Sequence, residues 1–127
     1  LAFYRGLTLQ GSITTTGGTT AYNQSSDARV KQHVRPTSYR LSDLLRVRVR
    51  DFEYHAAPTV TRTGFVAQEL REVFPDAVFV PSNTADIWGV DYGRLTPLIV
   101  KAIQDQSVEL EQLRERVRIL ESKVKED

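Results

Sequence analysis

Ser26 and Lys31 are one candidate pair in this sequence whose side-chain types could support nucleophilic chemistry. The chain has no cysteine, and its two histidines, His33 and His55, are far apart, so thiol chemistry, a His-based metal site and a Ser-His-Asp triad are poorly supported. A serine hydroxyl needs a base, and a lysine serves as one only where burial or nearby positive charge disfavours its ammonium form.

The spacing of this pair does not by itself bring the two side chains together. Five positions apart on one helix they would diverge by about 140°. A catalytic pair therefore requires a turn between them or a lysine from another chain. From the residues alone, the simpler interpretation is a helix N-cap at Ser26 and a surface lysine at Lys31.

A nucleophilic Ser26 would have two peptide bonds within its reach. Attack on the carbonyl of Ser25 closes a five-membered ring, whereas attack by Ser26 on its own carbonyl closes a strained four-membered ring. A route within one chain therefore favours the bond between Ser25 and Ser26. Attack between subunits would leave the bond between Ser26 and Asp27 open as well.

The elements that must position this pair begin with a β-rich stretch. Residues 1–24 are rich in threonine and β-branched side chains, and Gly17 and Gly18 offer a turn, which predicts a hairpin or the last strands of an upstream β structure. A polar stretch follows, and a short helix capped by Ser26 or Asp27 is expected to run to about Val34, before Pro36.

The middle of the chain predicts a small mixed body. We expect a short helix at Leu41, Leu44 and Leu45, a strand from Val47 with a bulge near Asp51, a loop over residues 59–63, and short strands within 77–80 and 87–92. Arg46, Arg48 and Arg50 are interpreted as a solvated strand face. A helix ended by Pro75 should bury one apolar face, which consists of Ala67, Leu70, Val73 and Phe74.

The last element is a long helix with a heptad repeat. It contains no glycine from Leu95 to Val124, and Pro97 lies where a first helical turn tolerates it. The a and d positions, seven of eight apolar, are Ile99, Ile103, Gln106, Leu110, Leu113, Val117, Leu120 and Val124. Glu109 with Arg114 and Arg116 with Glu121 would attract across a parallel interface. Self-association is predicted without a fixed strand number; the alternative is an amphipathic helix packed on its own domain.

Composition narrows the function classes further. The net charge of +1 gives no electrostatic argument for nucleic acid or membrane partners, and no apolar run approaches a spanning length of about 18 residues. The chain begins with Leu1 and lacks methionine, so we expect a piece of a longer protein. The predicted fold class is α+β: β-rich N-terminal strands, a small mixed body and a long C-terminal coiled-coil helix.

Three blocks of the sequence resemble one family. S-D-A-R-V-K from Ser26 resembles the S-D-x-R-x-K signature of the intramolecular chaperone domains of phage endosialidases, tail fibres and neck appendages, peptidase family S74. G-F-V-A-Q-E-L from Gly64, with F-P-D-A-V from Phe74, is similar to the second block of that family. V-D-Y from Val90 and L-T-P-L-I-V-K-A-I-Q from Leu95 resemble the third, which leads into a terminal coiled coil. The resemblance covers about residues 11–124.

The resemblance implies a homotrimer that folds an upstream phage tail fibre or tailspike and then cuts itself free. Ser26 would be the nucleophile and Lys31 the base of a single-turnover serine peptidase, with Asp27 and Arg29 as possible support. Cleavage would fall beside Ser25, Ser26 or Asp27, and no cofactor, metal, nucleic acid or membrane is implied. The segments would be the end of the fibre (1–24), the chaperone body (25–94) and the coiled-coil helix (95–127). The domain would act in the host cytoplasm during phage assembly, and the fibre would end up in the virion tail.

Other interpretations remain open. One is a non-cleaving trimerisation or tip module with the same architecture. A receptor-binding tip could use Trp88 and Tyr92, although core aromatics are the simpler interpretation. The signature also occurs in a self-cleaving, membrane-bound eukaryotic transcription factor, which would require an upstream DNA-binding domain and a downstream spanning helix; a chain that ends at Asp127 without one disfavours it.

Overall fold

The computed structural model describes residues 1–126 and separates the chain into two compact units, one of residues Leu1–Thr37 and one that begins at Ser38. The first unit carries a three-stranded antiparallel sheet of β1 (Ala2–Arg5), β2 (Thr8–Thr16) and β3 (Thr19–Gln24), in that order. The tight turn between β2 and β3 uses Gly17 and Gly18 at φ values of 57° and 86°, a region that glycine adopts without strain. The predicted β structure is confirmed, and β1 adds a strand that the sequence pattern did not reveal.

The segment after the sheet differs from the expected helix. A single 3₁₀ turn covers Ala28–Val30, and its N-cap is Asp27, whose side chain accepts a hydrogen bond from the backbone N–H of Arg29. The prediction of a helix to Val34 is therefore wrong; of the two predicted N-cap residues, Asp27 is confirmed and Ser26 is not. The turn ends because Lys31 has extended backbone angles, φ −115° and ψ 147°, which interrupt helical hydrogen bonding.

The second unit starts with α1 (Leu41–Leu44), as predicted, followed by an antiparallel pair of β4 (Arg50–Tyr54) and β5 (Ala57–Gly64). The register shift lies between Glu53 and Tyr54, so the bulge expected near Asp51 is misplaced. The loop expected over residues 59–63 is wrong, because these residues form most of β5. Their β-branched side chains suit a strand, and Thr63 Oγ1 donates to the Asp51 carboxylate across the pair at 2.6 Å.

The core of the second unit lies where a short helix meets the start of the long one. Helix α2 (Ala67–Arg71) ends earlier than predicted, at Arg71 rather than just before Pro75, but two residues of the predicted apolar face are buried, Leu70 within α2 and Phe74 after it. The two-residue strands β6 (Val78–Phe79) and β7 (Gly89–Val90) pair with each other. The buried cluster consists of Leu70, Phe74, Ala77, Leu95 and Leu98. Trp88 is half-buried and Tyr92 is 54% exposed, so the assignment of Tyr92 to the core is wrong.

The predicted terminal helix is confirmed as α3 (Thr96–Glu126), which is 31 residues long. Only one side of its first turns packs on the body: Leu98 and Ala102 are each 2% exposed, and the Asp105 carboxylate accepts from the N–H of Leu41 at 3.0 Å. Within residues 1–126, no helix is long and apolar enough to cross a membrane. The chain is thus a mixed α+β protein, with antiparallel strands at its N-terminus and a long helix at its C-terminus.

Candidate functional site

The structure brings Ser26 and Lys31 into direct contact within one chain. The Nζ of Lys31 donates a hydrogen bond to Ser26 Oγ at 2.7 Å. The intervening residues make the contact possible, because Val30 N–H donates to Asp27 O at 3.2 Å and Lys31 N–H donates to Ala28 O at 3.1 Å. Extended backbone at Lys31 follows this turn, and in this arrangement the lysine side chain reaches Ser26.

Asp27 and Arg29 form an ion pair on the same turn. Asp27 Oδ1 accepts from Arg29 Nε at 3.0 Å and Oδ2 accepts from Arg29 Nη2 at 2.8 Å, so the guanidinium holds both carboxylate oxygens. These hydrogen bonds from Arg29 hold the pKa of Asp27 below its usual value, and the carboxylate raises the pKa of Arg29. Asp27 and Arg29, the two motif residues to which the sequence assigned no chemical role, therefore contact each other.

Ser25, on the other side of the candidate scissile bond, is fixed to the sheet. Its backbone N–H donates to Gln10 O at 3.0 Å, and its Oγ donates to Leu9 O at 2.6 Å. The peptide bond between Ser25 and Ser26 thus lies between a residue held by β2 and the turn that carries Lys31. Sequence reasoning missed this anchorage of Ser25; the signal available was its position directly after a predicted strand.

All residues of this site are open to solvent in the single chain. Ser25, Ser26, Asp27, Arg29 and Lys31 are each exposed. The arrangement supplies a hydroxyl, an amine at hydrogen-bond distance and a carbonyl on the preceding residue. It does not enclose them, so any desolvation of the lysine must come from a further surface.

Glu69, the glutamate of the second motif block, forms ion pairs within the second unit. Glu69 accepts from Arg50 Nε at 3.0 Å and Nη2 at 2.8 Å, and from Arg48 Nη1 at 3.4 Å. The hydrogen bond from Arg50 is the largest of the influences that lower the pKa of Glu69. Arg48 and Arg50 are both exposed, as predicted for a solvated face, but they also pair with Glu69 of α2, Arg50 from β4 and Arg48 from the residues just before it. Arg46 pairs with a different carboxylate, since its Nη1 lies 3.7 Å from Asp43 Oδ1.

The apolar stripe of α3 is uncovered beyond the body. Ile103, Leu113 and Leu120 are 56%, 53% and 60% exposed, whereas the buried Leu98 and Ala102 lie at c and g heptad positions on another side of the helix. The body therefore occupies one flank of α3 and leaves the a and d positions available. Packing of the whole stripe on its own domain does not occur in the described residues. The remaining predicted seam residues, Ile99, Gln106, Leu110, Val117 and Val124, are also exposed.

Residues 26–79 match the model of the family Peptidase_S74, described as chaperone of endosialidase. This segment, which begins at the candidate nucleophile, is thus a chaperone-of-endosialidase domain. Among individual proteins, the chain is similar to Myelin regulatory factor homolog 1 of Caenorhabditis elegans, with 36% identity over 92 residues. The similar region is 62% of this chain and 9% of that protein, so the likeness concerns one small part of the relative.

Proposed function

We propose that this domain trimerises, assists the folding of an upstream phage tail fibre or tailspike, and then releases itself by autoproteolysis next to Ser26. The single observation that carries the proteolytic step is the 2.7 Å contact between Lys31 Nζ and Ser26 Oγ in one chain. Membership of a family of intramolecular chaperones and peptidases supports both halves of the proposal.

The chemistry runs within one chain. Neutral Lys31 accepts the hydroxyl proton as Ser26 Oγ attacks the carbonyl carbon of Ser25, and the resulting ammonium returns that proton to the departing nitrogen of Ser26. An ester then joins Ser25 to the Ser26 side chain. Water attacks the ester, which frees a carboxylate on Ser25 and restores the hydroxyl of Ser26. Ser25 is held by its hydrogen bonds to Leu9 and Gln10, so its carbonyl carbon has a fixed position for attack. This supports cleavage of the bond between Ser25 and Ser26 rather than the bond between Ser26 and Asp27.

Trimerisation supplies the environment that the base requires. A lysine acts as a base only where desolvation or neighbouring positive charge disfavours the ammonium, and both dyad residues are exposed in the single chain. The uncovered stripe of α3 gives a route to association, and surfaces of neighbouring copies would then cover the dyad. Cleavage follows assembly in this scheme, because an unassembled chain lacks the covering surfaces.

The chaperone role follows from the same order of events. The helices hold three copies together while the upstream segments fold, and cutting afterwards removes the element from which the fibre could begin to unfold, so that a kinetic barrier retains the product. The partners are two further copies and the upstream fibre of the same polypeptide. The domain acts in the host cytoplasm during assembly, and the fibre passes to the virion tail.

Denaturing electrophoresis of the full chain tests the proposal. We expect wild type to yield a product shortened by the 25 residues that precede Ser26, and Ser26→Ala and Lys31→Ala to remain whole. Ser82→Ala and Lys125→Ala, exposed substitutions of the same types elsewhere, should cleave like wild type. Cleavage that survives Ser26→Ala, or a wild-type trimer that stays whole, contradicts the proposal.

Coexpression tests whether the dyad acts within one chain. Chains with Ser26→Ala are mixed with chains carrying Lys31→Ala, so that each mixed trimer contains both intact side chains but never in one chain. The contact within one chain predicts that mixed trimers stay uncut. Recovery of product would mean that the lysine acts across subunits.

The alternative is a non-cleaving module retained at the fibre tip. Trp88 and Tyr92 favour it, since they line an open cleft of about 430 Å³ together with Phe52, Phe65 and Gln68. A wild-type chain that forms trimers but remains whole in the electrophoresis experiment would select this alternative.

A further inference from the structure

The ion pair of Asp27 and Arg29 lies on the turn that joins the two dyad residues. We propose that Asp27 and Arg29 are positioning residues, which together keep Lys31 Nζ on Ser26 Oγ. This inference rests on the proposed autoproteolysis and assigns to each residue a separate contribution to its rate. Neither residue contacts the reacting atoms in the described structure, so both act through the turn and through Lys31.

The turn needs support from side chains because its own backbone offers little. It is a single 3₁₀ turn of three residues with two closing hydrogen bonds, of 3.2 and 3.1 Å. Such short turns have poorer hydrogen-bond geometry than α-helices and no cooperative stabilisation. Asp27 Oδ1 adds a 2.8 Å bond to the N–H of Arg29 and so caps the turn at its start. Without that cap, the backbone between Ser26 and Lys31 would open readily.

Arg29 contributes by occupying the carboxylate. Lys31 Nζ already reaches Ser26, which is the neighbour of Asp27 in the chain, and a carboxylate attracts an ammonium over about 4–6 Å. An unoccupied Asp27 carboxylate would therefore compete with Ser26 Oγ for Lys31 Nζ, and would also favour the charged lysine that cannot accept a proton. The guanidinium of Arg29 engages both carboxylate oxygens and removes this competitor.

Small displacements of the lysine have large kinetic consequences. The reacting groups must lie within about 3–3.5 Å, and a misplacement of about 1 Å slows a reaction by about 100-fold. The observed 2.7 Å contact leaves little room for such a shift. Arg29→Ala should therefore slow cleavage by about 10- to 100-fold.

The sharpest test is a rescue. Asp27→Asn keeps a side-chain oxygen that can cap the turn but removes the charge that would capture Lys31. In chains that already carry Arg29→Ala, the added Asp27→Asn should therefore restore much of the lost rate. A purely structural role of the ion pair predicts the opposite, since a second substitution would only weaken the turn further.

The experiment is a pulse-chase of the full chain in cell-free translation, followed by denaturing electrophoresis. Wild type, Ser26→Ala, Arg29→Ala and the double variant are compared. Arg118→Ala is the matched control, because it removes another exposed arginine–carboxylate pair, with Glu115, far along α3. This control should cleave at the wild-type rate.

Each outcome separates the inference from the proposed function. A slower first-order rate for Arg29→Ala, with cleavage still reaching the wild-type end point and rescue in the double variant, supports the inference. An unchanged rate, a reduced end point at unchanged rate, or a double variant slower than Arg29→Ala overturns it while Ser26-dependent cleavage stands. Wild-type chain that never cleaves, or cleavage that persists in Ser26→Ala, overturns the proposed function and the inference with it.

Discussion

Truncation of Leu120 on α3 should weaken the proposed trimer, whereas truncation of its neighbour Ile119 should not. Leu120 occupies a d position of the heptad, and Ile119 occupies a c position on the outside of a coiled coil. Both are exposed in the single chain, 60% and 46% respectively, and they are isomers of equal size. The pair therefore separates the loss of seam packing from the general effect of shortening an apolar side chain on this helix.

The expected magnitude follows from the area that assembly would bury. Leu120→Ala removes three carbons, each worth about 0.8 kcal/mol when fully buried. Since 60% of Leu120 remains exposed before assembly, the loss is about 1.4 kcal/mol per chain and about 4 kcal/mol per trimer. That energy corresponds to about a 1000-fold larger trimer dissociation constant. The chain concentration at half-assembly scales as the square root of this constant, so it should rise by about 30-fold.

Sedimentation over a dilution series measures this midpoint. The chains carry Ser26→Ala, which keeps each one whole so that cleavage does not alter the mass. We expect a midpoint about 30-fold higher for Leu120→Ala and close to the parent for Ile119→Ala. Equal midpoints for the two variants, or a parent chain that is monomeric at micromolar concentration, would refute the assignment of the seam.

Three further predictions concern the body and the reaction. The pKa of Asp105 lies below its usual value because Lys101 and the N–H of Leu41 donate to its carboxylate. The stability that the ionised carboxylate contributes is therefore complete above about pH 4 and is lost as pH falls through the lowered pKa. Urea unfolding should show this loss of stability in acid, and the loss should be smaller in Asp105→Asn. Leu70→Ala, at a site 1% exposed, should lower the free energy of unfolding by about 2–5 kcal/mol in the same assay. Hydroxylamine should trap the ester intermediate as a hydroxamate on Ser25, detectable by mass spectrometry of the released fragment.

Each of these has a contradicting result. Acid sensitivity that is the same in Asp105→Asn as in wild type would place the titrating group elsewhere. Val66 is 38% exposed and provides the comparison for Leu70, so a Val66→Ala variant as unstable as Leu70→Ala would contradict the assigned core. Hydroxamate found on Ser26 instead of Ser25 would place the cut at the other bond.

The terminal helix was predictable because its signals are local. A run without glycine, a proline in the first turn and apolar residues at heptad spacing define a long helix independently of the rest of the chain. The apolar face around Leu70 and Phe74 was predictable for the same reason. Sequence periodicity does not reveal which flank of the long helix the body covers, since that depends on contacts such as the one between Asp105 and Leu41.

The strand β5 was missed in the second unit because its structure depends on pairing with β4 and not on a local pattern of apolar side chains. Residues 59–63 contain threonines and an arginine, and no alternation of apolar side chains marks them as a strand. Their structure depends on contacts with β4. The hydroxyl of Thr61 donates to the Glu53 carboxylate, and the hydroxyl of Thr63 donates to the Asp51 carboxylate. Such cross-strand partners are invisible until the register is known.

The site shows both the value and the limit of a motif. The serine and lysine were identifiable from their types and from the S-D-x-R-x-K resemblance, whereas helical geometry placed them on diverging faces. Their contact depends on a turn that is only three residues long and on the extended backbone of Lys31. The supporting pair of Asp27 and Arg29 could be recognised as part of the motif, while its geometry required the structure.

Intact-mass spectrometry of the purified wild-type chain, beside Ser26→Ala, tests the central claim most directly. We expect two wild-type species whose masses place the break between Ser25 and Ser26, and one full-length mass for the variant. A single full-length mass for wild type under conditions where it sediments as a trimer would contradict the claim that Lys31 activates Ser26.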